Sequence, residues 1–324
     1  MQIKTIAILG PGGNVGSAII SELIKDGLRF KITAITRPSS TYATPPDSTI
    51  THKAVDYASF ASLKETFTGQ DAVVNCITGG ATQYDPTKLI IDAAVAAGVG
   101  FYFANEFVSY LDSEQYRRLP EAFVGGKVRI RKYLAGLADQ GEMTWSSLNG
   151  GPFFDMWLAK GPAGIDIANR RARIYGTGNN PLFWTPLPTM GLAAANMLRN
   201  PDLIANRPIY ICPIAQLSQN TLLATVERVL GKKFEVEHVD VKKINEHGRI
   251  ALERGEAGKA MKGLGVSNQF YEGDSGNDFS HLLENEVVGV EMVGVEDAVR
   301  EVIERYGEDV KIVEGMYYVE ACEI

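Results

Sequence analysis

The sequence predicts an α/β fold in which a doubly wound parallel sheet is followed by a smaller C-terminal domain. Two observations support this prediction. Over residues 1–152, short β-branched runs alternate with segments of helical spacing, a pattern typical of strands buried between two layers of helices. A glycine-rich turn joins the first strand to the first helix. Glycine, proline and asparagine then become frequent, so we assign residues 153–324 to the smaller, substrate-binding domain.

The alternation can be followed along the chain. Strands are predicted at residues 4–9, 30–36, 50–55, 71–77, 99–103 and 144–148. Helices are predicted between them at residues 17–24, 59–67, 86–98 and 121–140. The second half contains predicted strands at 165–167, 172–175 and 207–212, helices at 190–198, 221–230, 241–254 and 295–306, and a strand-prone tail at 310–320. The strand at 207–212 is a candidate for a further strand of the main sheet.

The turn after the first strand has the composition of a phosphate-binding loop. Its spacing is Gly10-x-x-Gly13-x-x-Gly16 with an additional glycine at position 12, and Val15 stands where the strict G-x-G-x-x-G pattern has its third glycine. Glycines let a backbone approach a pyrophosphate closely, and the following helix start offers free N–H groups and a positive dipole end. The strand–turn–helix order therefore predicts a dinucleotide site of the Rossmann type. A turn that only connects core elements is the alternative.

The end of the second strand indicates which dinucleotide is bound. Arg37 lies there, followed closely by the hydroxyl side chains of Ser39, Ser40 and Thr41. NAD-binding proteins tend to place a carboxylate about 20 residues past the glycine turn, where it binds the ribose hydroxyls. An arginine and hydroxyl groups instead suit the 2′-phosphate of NADP(H), which a carboxylate would repel. We therefore predict NADP(H) as the cofactor, with a solvated loop arginine as the alternative.

Composition and charge narrow the class of protein. Of the 324 residues, 45% are hydrophobic and 22% are charged, which is ordinary for a globular protein. The net charge of −7 argues against nucleic acid or an anionic membrane as a partner. Neither the three cysteines nor the four histidines have metal-ligand spacing, so we expect reduced thiols and no metal. Because the first predicted strand begins so early, we expect no signal peptide, and we expect a cytoplasmic protein, either monomer or homodimer.

A lysine on the helix predicted at 121–140 is the candidate for proton transfer. The apolar stripe of this helix consists of Phe123, Ile130, Leu134 and Leu137. Lys127 lies within that stripe, one turn from both Phe123 and Ile130. A lysine facing the interior must reach a cleft with its amine, and desolvation lowers its pKa toward a range useful for proton transfer. The spacing leaves a second interpretation open, in which Lys127 snorkels to solvent on a basic face shared with Arg129, Arg131 and Lys132.

These motifs together resemble the NmrA-like, isoflavone-reductase-like family of atypical short-chain reductases. The resemblance rests on residues 10–16, the position of Arg37, the segment Asn105-Glu106-Phe107, and Lys127-x-x-x-Arg131-Lys132. Plant members of that family carry Ser-Glu-Phe-Gly where this chain has Asn-Glu-Phe-Val, which argues against a plant-like substrate. The lysine of the family aligns with Lys127 and is understood to act as general acid or base while NADPH delivers hydride. The resemblance therefore implies that Lys127 is catalytic.

The strand ends and the resemblance give a set of expected site residues. The cofactor is expected to contact Gly10, Gly12, Gly13, Asn14, Val15, Gly16, Arg37, Ser39, Asp56, Thr78, Asn105, Glu106, Phe107, Lys127, Gly150 and Phe153. The substrate, a small aromatic or polycyclic molecule, is expected to contact Phe153, Phe154, Met156, Trp157, Phe183 and Trp184. A cluster of aromatic side chains suits such a ligand, and an ordinary inter-domain core is the alternative.

Two functions are compatible with this sequence. The first is an NADPH-dependent reductase acting on a ketone, enone or benzylic ether of secondary-metabolite type. The second is a non-catalytic NADP-binding redox sensor that acts through a protein partner, as some members of the resembled family do. A lysine on the apolar stripe and an aromatic cluster near the cofactor favour the enzyme.

Overall fold

The computed structural model describes residues 1–78, 83–119, 126–273 and 276–324. Its strands are β1 (Thr5–Leu9), β2 (Lys31–Thr36), β3 (Thr51–Ala54), β4 (Ala72–Asn75), β5 (Phe101–Ala104), β6 (Thr144–Asn149), β7 (Ile165–Asp166), β8 (Arg171–Tyr175), β9 (Arg207–Tyr210) and β10 (Glu235–Val239). Its helices are α1 (Asn14–Leu23), α2 (Phe60–Phe67), α3 (Tyr84–Ala96), α4 (Glu114–Arg118), α5 (Gly126–Asp139), α6 (Phe154–Lys160), α7 (Leu187–Arg199), α8 (Gln219–Leu230), α9 (Val241–Glu253), α10 (Ala257–Phe270), α11 (Val295–Tyr306) and α12 (Glu314–Tyr317).

A doubly wound parallel sheet forms the centre of the molecule, as the sequence predicted. Within the described residues it has seven strands in the order β3-β2-β1-β4-β5-β6-β9, and every neighbouring pair is parallel. The chain moves outward from β1 in one direction through β2 and β3, and then in the other direction from β4. The order therefore reverses between β1 and β4, where the carboxyl ends of the strands leave a crevice for a ligand.

The alternation of side chains along β1 explains why helices cover both faces of this sheet. Ile6 and Ile8 are fully buried on one face, in a core that includes apolar residues of α1 and α7. Ala7 and Leu9 are fully buried on the other face, in a core that includes residues of α2, α3 and α5. Because both faces of the strand are buried, its sequence is a continuous apolar run rather than an alternating one.

The second half of the chain contributes to the main sheet as well as to a separate unit. The strand predicted at 207–212 is β9, which pairs in parallel with β6, and α7 packs against α1. Both elements follow the predicted boundary at residue 152. The remaining C-terminal elements enclose a second hydrophobic core beside the small sheet β10-β8-β7. Of the described helices, none combines the length and the apolar composition needed to cross a membrane.

The C-terminal tail differs from its predicted strand. Residues 310–320 contain the short helix α12 and otherwise irregular backbone. Tyr317 and Val319 are buried, and the hydroxyl of Tyr175 donates to the carbonyl oxygen of Tyr317 at 3.1 Å. The apolar residues of the tail are therefore used singly, to cover the second core, and tertiary packing overrides their strand propensity.

Helices α6 and α10 were not predicted, because glycines and aromatic residues obscure their helical spacing.

The second core gives a first prediction, on Phe154. This side chain is fully buried in that core, so Phe154→Ala should lower the free energy of unfolding by about 3–5 kcal/mol, through lost burial and the cavity left behind. Chemical denaturation measures the effect. Phe60→Ala is the matched control, since Phe60 is 40% exposed and its truncation should cost less than about 1 kcal/mol. Equal effects of the two substitutions would contradict the assignment of Phe154 to the core.

Candidate active site

The glycine turn between β1 and α1 is shaped by two positions where a side chain does not fit. Gly10 has a φ angle of +73°, and a Cβ atom there would lie 2.7 Å from the carbonyl oxygen of Cys76. A Cβ atom on Gly16 would overlap the carbonyl oxygen of Gly10. Gly16 therefore permits the close packing of helix against turn that the strict motif assigns to its third glycine. Val15 instead is buried in the main core.

The start of α1 offers hydrogen-bond donors to the cleft beside it. Gly13 precedes the helix and, having no side chain, leaves the helix without a side-chain cap. The amide of Ser17 donates to the carbonyl oxygen of Gly13 at 2.9 Å, so the amides of residues 14–16 are the orphan donors of a helix start. Such donors, at the positive end of the helix dipole, fit a pyrophosphate.

A cleft of about 770 Å³ opens over this turn at the reversal of strand order. Its walls are formed by Gly10, Pro11, Gly12, Gly13, Thr36, Arg37, Ser39, Ser40, Thr41, Tyr42, Tyr57, Cys76, Ile77 and Thr78. Arg37 is exposed at one end, beside the predicted hydroxyl residues. Asp56 is outside this lining, and its carboxylate instead accepts from the amide of Ala58 at 2.9 Å, in the turn before α2. The arginine and the hydroxyls thus fit a phosphorylated ribose, and Asp56 does not oppose them.

Two weakly acidic side chains that line the cleft, Tyr57 and Cys76, keep their protons because they are buried. Burial raises the pKa of Tyr57 to about 12, and its hydroxyl donates to the carbonyl oxygen of Ile35 at 2.7 Å. Burial also raises the pKa of the Cys76 thiol to about 12. Both groups are therefore neutral near pH 7 and add no negative charge against a bound phosphate.

Lys127 lies near the other end of the cleft, on α5. Its ammonium donates to the backbone carbonyl oxygens of Asn105 at 2.8 Å and Glu106 at 2.7 Å, just after β5. A third, longer contact of 3.4 Å reaches Oδ1 of Asn105. Burial lowers the pKa of Lys127 to about 8, and the negative charge of Glu106 partly opposes that shift. The amine is thus able to exchange a proton near neutral pH.

Glu106 is the centre of a buried polar network. Its carboxylate accepts from Nε of Arg131 at 2.8 Å, from the hydroxyl of Ser147 at 2.7 Å and from the amide of Asn149 at 2.8 Å, and a second guanidinium nitrogen also donates to it. Burial alone would raise the pKa of Glu106, but the Arg131 guanidinium and these donors hold it below its usual range. Only 2% of the residue is exposed, so its side chain does not face the cleft.

Arg131 extends this network toward β9. Its Nη1 donates to Asp112 at 2.5 Å, and its Nη2 donates to the hydroxyl of Tyr210 at 3.3 Å. The guanidinium is buried, and the adjacent Glu106 carboxylate raises its pKa despite that burial. Arg131 therefore does not belong to a solvated basic face, which was one interpretation of this helix. Phe123 and the start of the predicted helix lie outside the described residues.

The remaining predicted cofactor residues shape the backbone at the strand ends. Phe107 has a φ angle of +45°, in the left-handed region that is uncommon for a bulky residue, and its amide donates to the carbonyl oxygen of Leu148 at 3.0 Å. Gly150 is buried, and a Cβ atom there would lie 2.6 Å from the sulfur of Met190. Both residues follow strands at the carboxyl edge of the sheet, where close approach of a ligand is expected.

The predicted substrate residues separate into two groups. Phe154 and Trp184 have no exposed surface and lie in the second core, outside the lining of the cleft over the glycine turn. The ring of Trp157 packs 5.0 Å from that of Trp184, at the border of the same core. The other predicted substrate residues, Phe153, Met156 and Phe183, are partly exposed.

Comparison with known proteins agrees with this geometry. Residues 10–133 match the sequence model of a family described as NAD(P)H-binding. The chain is 31% identical over 261 residues to the oxidoreductase aprR of Aspergillus flavus, covering 81% of this chain and 84% of that protein. It is 27% identical over 219 residues to an NmrA-like family domain-containing oxidoreductase of Gibberella moniliformis, covering 64% and 70%.

The chain belongs to the NmrA-like family of NAD(P)H-binding oxidoreductases, and it shares the fold of a solved isoflavone reductase. The family resemblance stated from the sequence motifs is thereby confirmed. The same fold is found in the Escherichia coli NADPH-dependent quinone oxidoreductase QOR2, solved in complex with NADPH. The TM-score is 0.68 at 20% identity, and the match covers 92% of this chain and 99% of the other.

In this NmrA-like protein, sequence reasoning missed four of the five members of a strand-end aromatic cluster. The cluster consists of Tyr110, Phe183, Tyr210, Phe279 and His281. Tyr110 lies 6.1 Å from Tyr210 and 5.7 Å from His281, measured between ring centroids. Tyr110 and Tyr210 could have been found, since Tyr110 follows the predicted strand at 99–103 and Tyr210 lies within the one at 207–212, both toward the carboxyl edge of the sheet. Nothing in the sequence placed Phe279 or His281 beside them.

The polar network gives a prediction about stability and pH. Glu106→Gln should lower the free energy of unfolding by about 3 kcal/mol at pH 7, because Arg131 loses a buried carboxylate partner. The folded-state pKa of Glu106 is lowered, so its contribution is present above the ordinary glutamate pKa of about 4.3 and is lost as the pH falls through the folded value. Denaturation at several pH values measures both effects.

Glu142→Gln is the matched control, because Glu142 is exposed at the end of the turn after α5. It should change stability by less than about 0.5 kcal/mol. A difference between Glu106→Gln and the wild type that persists undiminished in acid would contradict the role of this carboxylate.

Proposed function

We propose that this protein is an NADPH-dependent reductase of a small aromatic or polycyclic ketone, enone or benzylic ether. NADPH, when bound, supplies a hydride, that is, a proton and two electrons, to the substrate carbon. The reduced substrate then needs one further proton, which Lys127 supplies. The substrate class and the cytoplasmic location are the finer parts of this proposal, and the family membership supports the oxidoreductase class.

The fit of the cleft to the cofactor begins at the phosphates. The amides at the start of α1 would hold the pyrophosphate, and Gly10 and Gly16 keep the backbone close enough for that contact. Arg37, with Ser39, would hold the 2′-phosphate. The nicotinamide end would then extend past Thr78 toward the backbone of Asn105 and Lys127.

The single observation that carries the proposal is the hydrogen bonding of the Lys127 amine. An ammonium has three donors, and two of them make short bonds to backbone carbonyls that can only accept. If the third proton passes to the substrate, the neutral amine keeps two N–H groups and both short bonds. Lys127 can therefore give up one proton without losing its position, as a general acid requires.

The aromatic substrate class is supported by the strand-end aromatic cluster. Tyr110 and Phe183 are partly exposed, and His281 is exposed, so their rings are accessible to a ligand. Tyr210, within the same cluster, is joined by its hydroxyl to Arg131, four residues after Lys127. A planar aromatic substrate placed on this cluster would lie on the same sheet edge as the proposed proton donor.

Arg37 gives a test of the cofactor preference. Arg37→Ala should weaken NADPH binding by about 10- to 100-fold, because a charge-assisted contact to the 2′-phosphate is lost, and should leave NADH binding nearly unchanged. Fluorescence titration with both dinucleotides measures the change. Arg254→Ala, at an exposed arginine in the second half, is the control and should alter neither affinity. Equal losses for NADPH and NADH would argue against a 2′-phosphate contact.

Lys127 gives a test of the chemistry. Lys127→Met should reduce turnover at least about 100-fold while NADPH affinity stays within about threefold, since only the proton donor is removed. In the wild type, reduction should slow as the pH rises above about 8, where the lysine loses its proton. NADPH oxidation with a panel of aromatic ketones, enones and benzylic ethers measures both.

Lys132→Met is the matched control, because Lys132 is exposed on the same helix and should keep full activity. Full turnover in Lys127→Met would remove the proposed donor. A stable NADP complex that retains a protein partner but oxidises nothing in the panel would instead favour the redox-sensor function.

A further inference from the structure

The side chain of Asn105 spans the space between Lys127 and the cofactor cleft. Its Nδ2 donates to the carbonyl oxygen of Ile77, a residue that lines the cleft just after β4. Its Oδ1 lies 3.4 Å from Nζ of Lys127. One amide group therefore contacts both the wall of the cofactor site and the amine proposed to supply the proton.

The chemistry of these two partners permits one orientation of the Asn105 amide. A backbone carbonyl only accepts hydrogen bonds, so the NH₂ group must face Ile77. An ammonium only donates, so the carbonyl oxygen must face Lys127. A serine at this position would have a single oxygen on a shorter side chain and could not reach in both directions at once.

The side-chain oxygen of Asn105 contacts the proton of Lys127 that is free to leave. The two backbone contacts, at 2.8 and 2.7 Å, are short, whereas the contact with Oδ1 is the longest of the three. Loss of this third proton breaks only the weak contact and leaves the short ones in place. The side-chain amide of Asn105 thus contacts the N–H that is free to leave and connects it to the wall of the cofactor cleft.

We propose that Asn105 is a positioning residue for proton transfer, which holds the transferable proton of Lys127 in place relative to the wall of the cofactor cleft. The inference rests on the proposed role of Lys127 and adds a residue whose side chain sets the direction and the readiness of that proton. Asn105 itself exchanges no proton in this arrangement.

The charges near Lys127 make the role of a neutral amide testable. Among the described residues, Glu106 is the carboxylate that acts on Lys127, and it is itself neutralised by Arg131, which also pairs with Asp112. The hydroxyl of Tyr210 is bonded to the same guanidinium. Asn105 contributes a hydrogen-bond acceptor without charge, so a change at this position alters the amine directly.

Two substitutions of Asn105 should shift the pKa of Lys127 in opposite directions. Asn105→Ala removes an acceptor that favours the charged amine, so the fall of activity at high pH should begin at a lower pH than in the wild type. Asn105→Asp keeps the shape of the side chain and adds a negative charge, so the fall should begin about one pH unit higher or more. Asn200→Asp adds the same charge at an exposed site at the end of α7 and should leave the pH at which activity falls unchanged.

A second measurement needs neither cofactor nor turnover. The pH dependence of acylation of Lys127 by acetic anhydride, followed by mass spectrometry of the cofactor-free protein, reports when the amine becomes neutral. We expect acylation to begin at lower pH in Asn105→Ala and at higher pH in Asn105→Asp. Thermal melting confirms that each variant is folded, and Asn105→Ser replaces the alanine variant if that variant is not.

The outcomes separate the two proposals. Unchanged pH profiles and unchanged acylation in both variants would overturn the role of Asn105, even if Lys127→Met is inactive. The role of Asn105 would also be overturned if Asn200→Asp raised the pKa of Lys127 as much as Asn105→Asp does. Full activity of Lys127→Met would overturn the proposed proton donor, and the acylation measurement would still decide whether Asn105 holds the amine.

Discussion

The buried ion pair between Glu106 and Arg131 is the interaction on which the Lys127 end of the candidate site depends. Removing both charges from water is costly, and the cost is offset here because nearly every lone pair of the carboxylate is used. The donors come from α5 and β6, and Arg131 also reaches the end of β9. The ion pair thereby links α5 to the ends of β5, β6 and β9, and its hydrogen bonds hold these four elements together.

This network explains how Lys127 can be both desolvated and well placed. Lys127 and Arg131 are one helical turn apart on α5, so fixing the guanidinium also fixes the direction in which the lysine leaves the helix. The backbone of Glu106 then supplies one of the two carbonyl acceptors. The same residue thus places the amine through its backbone and favours its charged form through its side chain. A lysine on a helix held only by apolar contacts would have neither constraint.

The two ends of the site are built on different physical principles. At the end proposed to bind phosphate, steric exclusion at Gly10 and Gly16 and the free amides of a helix start produce a polar, open cleft. At the other end, buried hydrogen bonds hold a titratable amine beside the backbone after β5. Asn105 and Ile77 join the two ends directly. The aromatic surface on the far side depends on β9, which arrives from the second half of the chain.

The sequence by itself determined the parallel α/β fold, the glycine turn, the position of Arg37 at the end of β2 and the helix that carries Lys127. These features are local, because strand runs, glycine spacing and helical periodicity are properties of neighbouring residues. Only the tertiary structure decided that Phe154 and Trp184 are core residues, that Glu106 points into a buried network, and that Tyr110 and Phe279 both pack against Tyr210. Those facts depend on contacts between residues far apart in the chain, and no periodic pattern in the sequence encodes which distant side chains share a hydrogen bond or a packed surface.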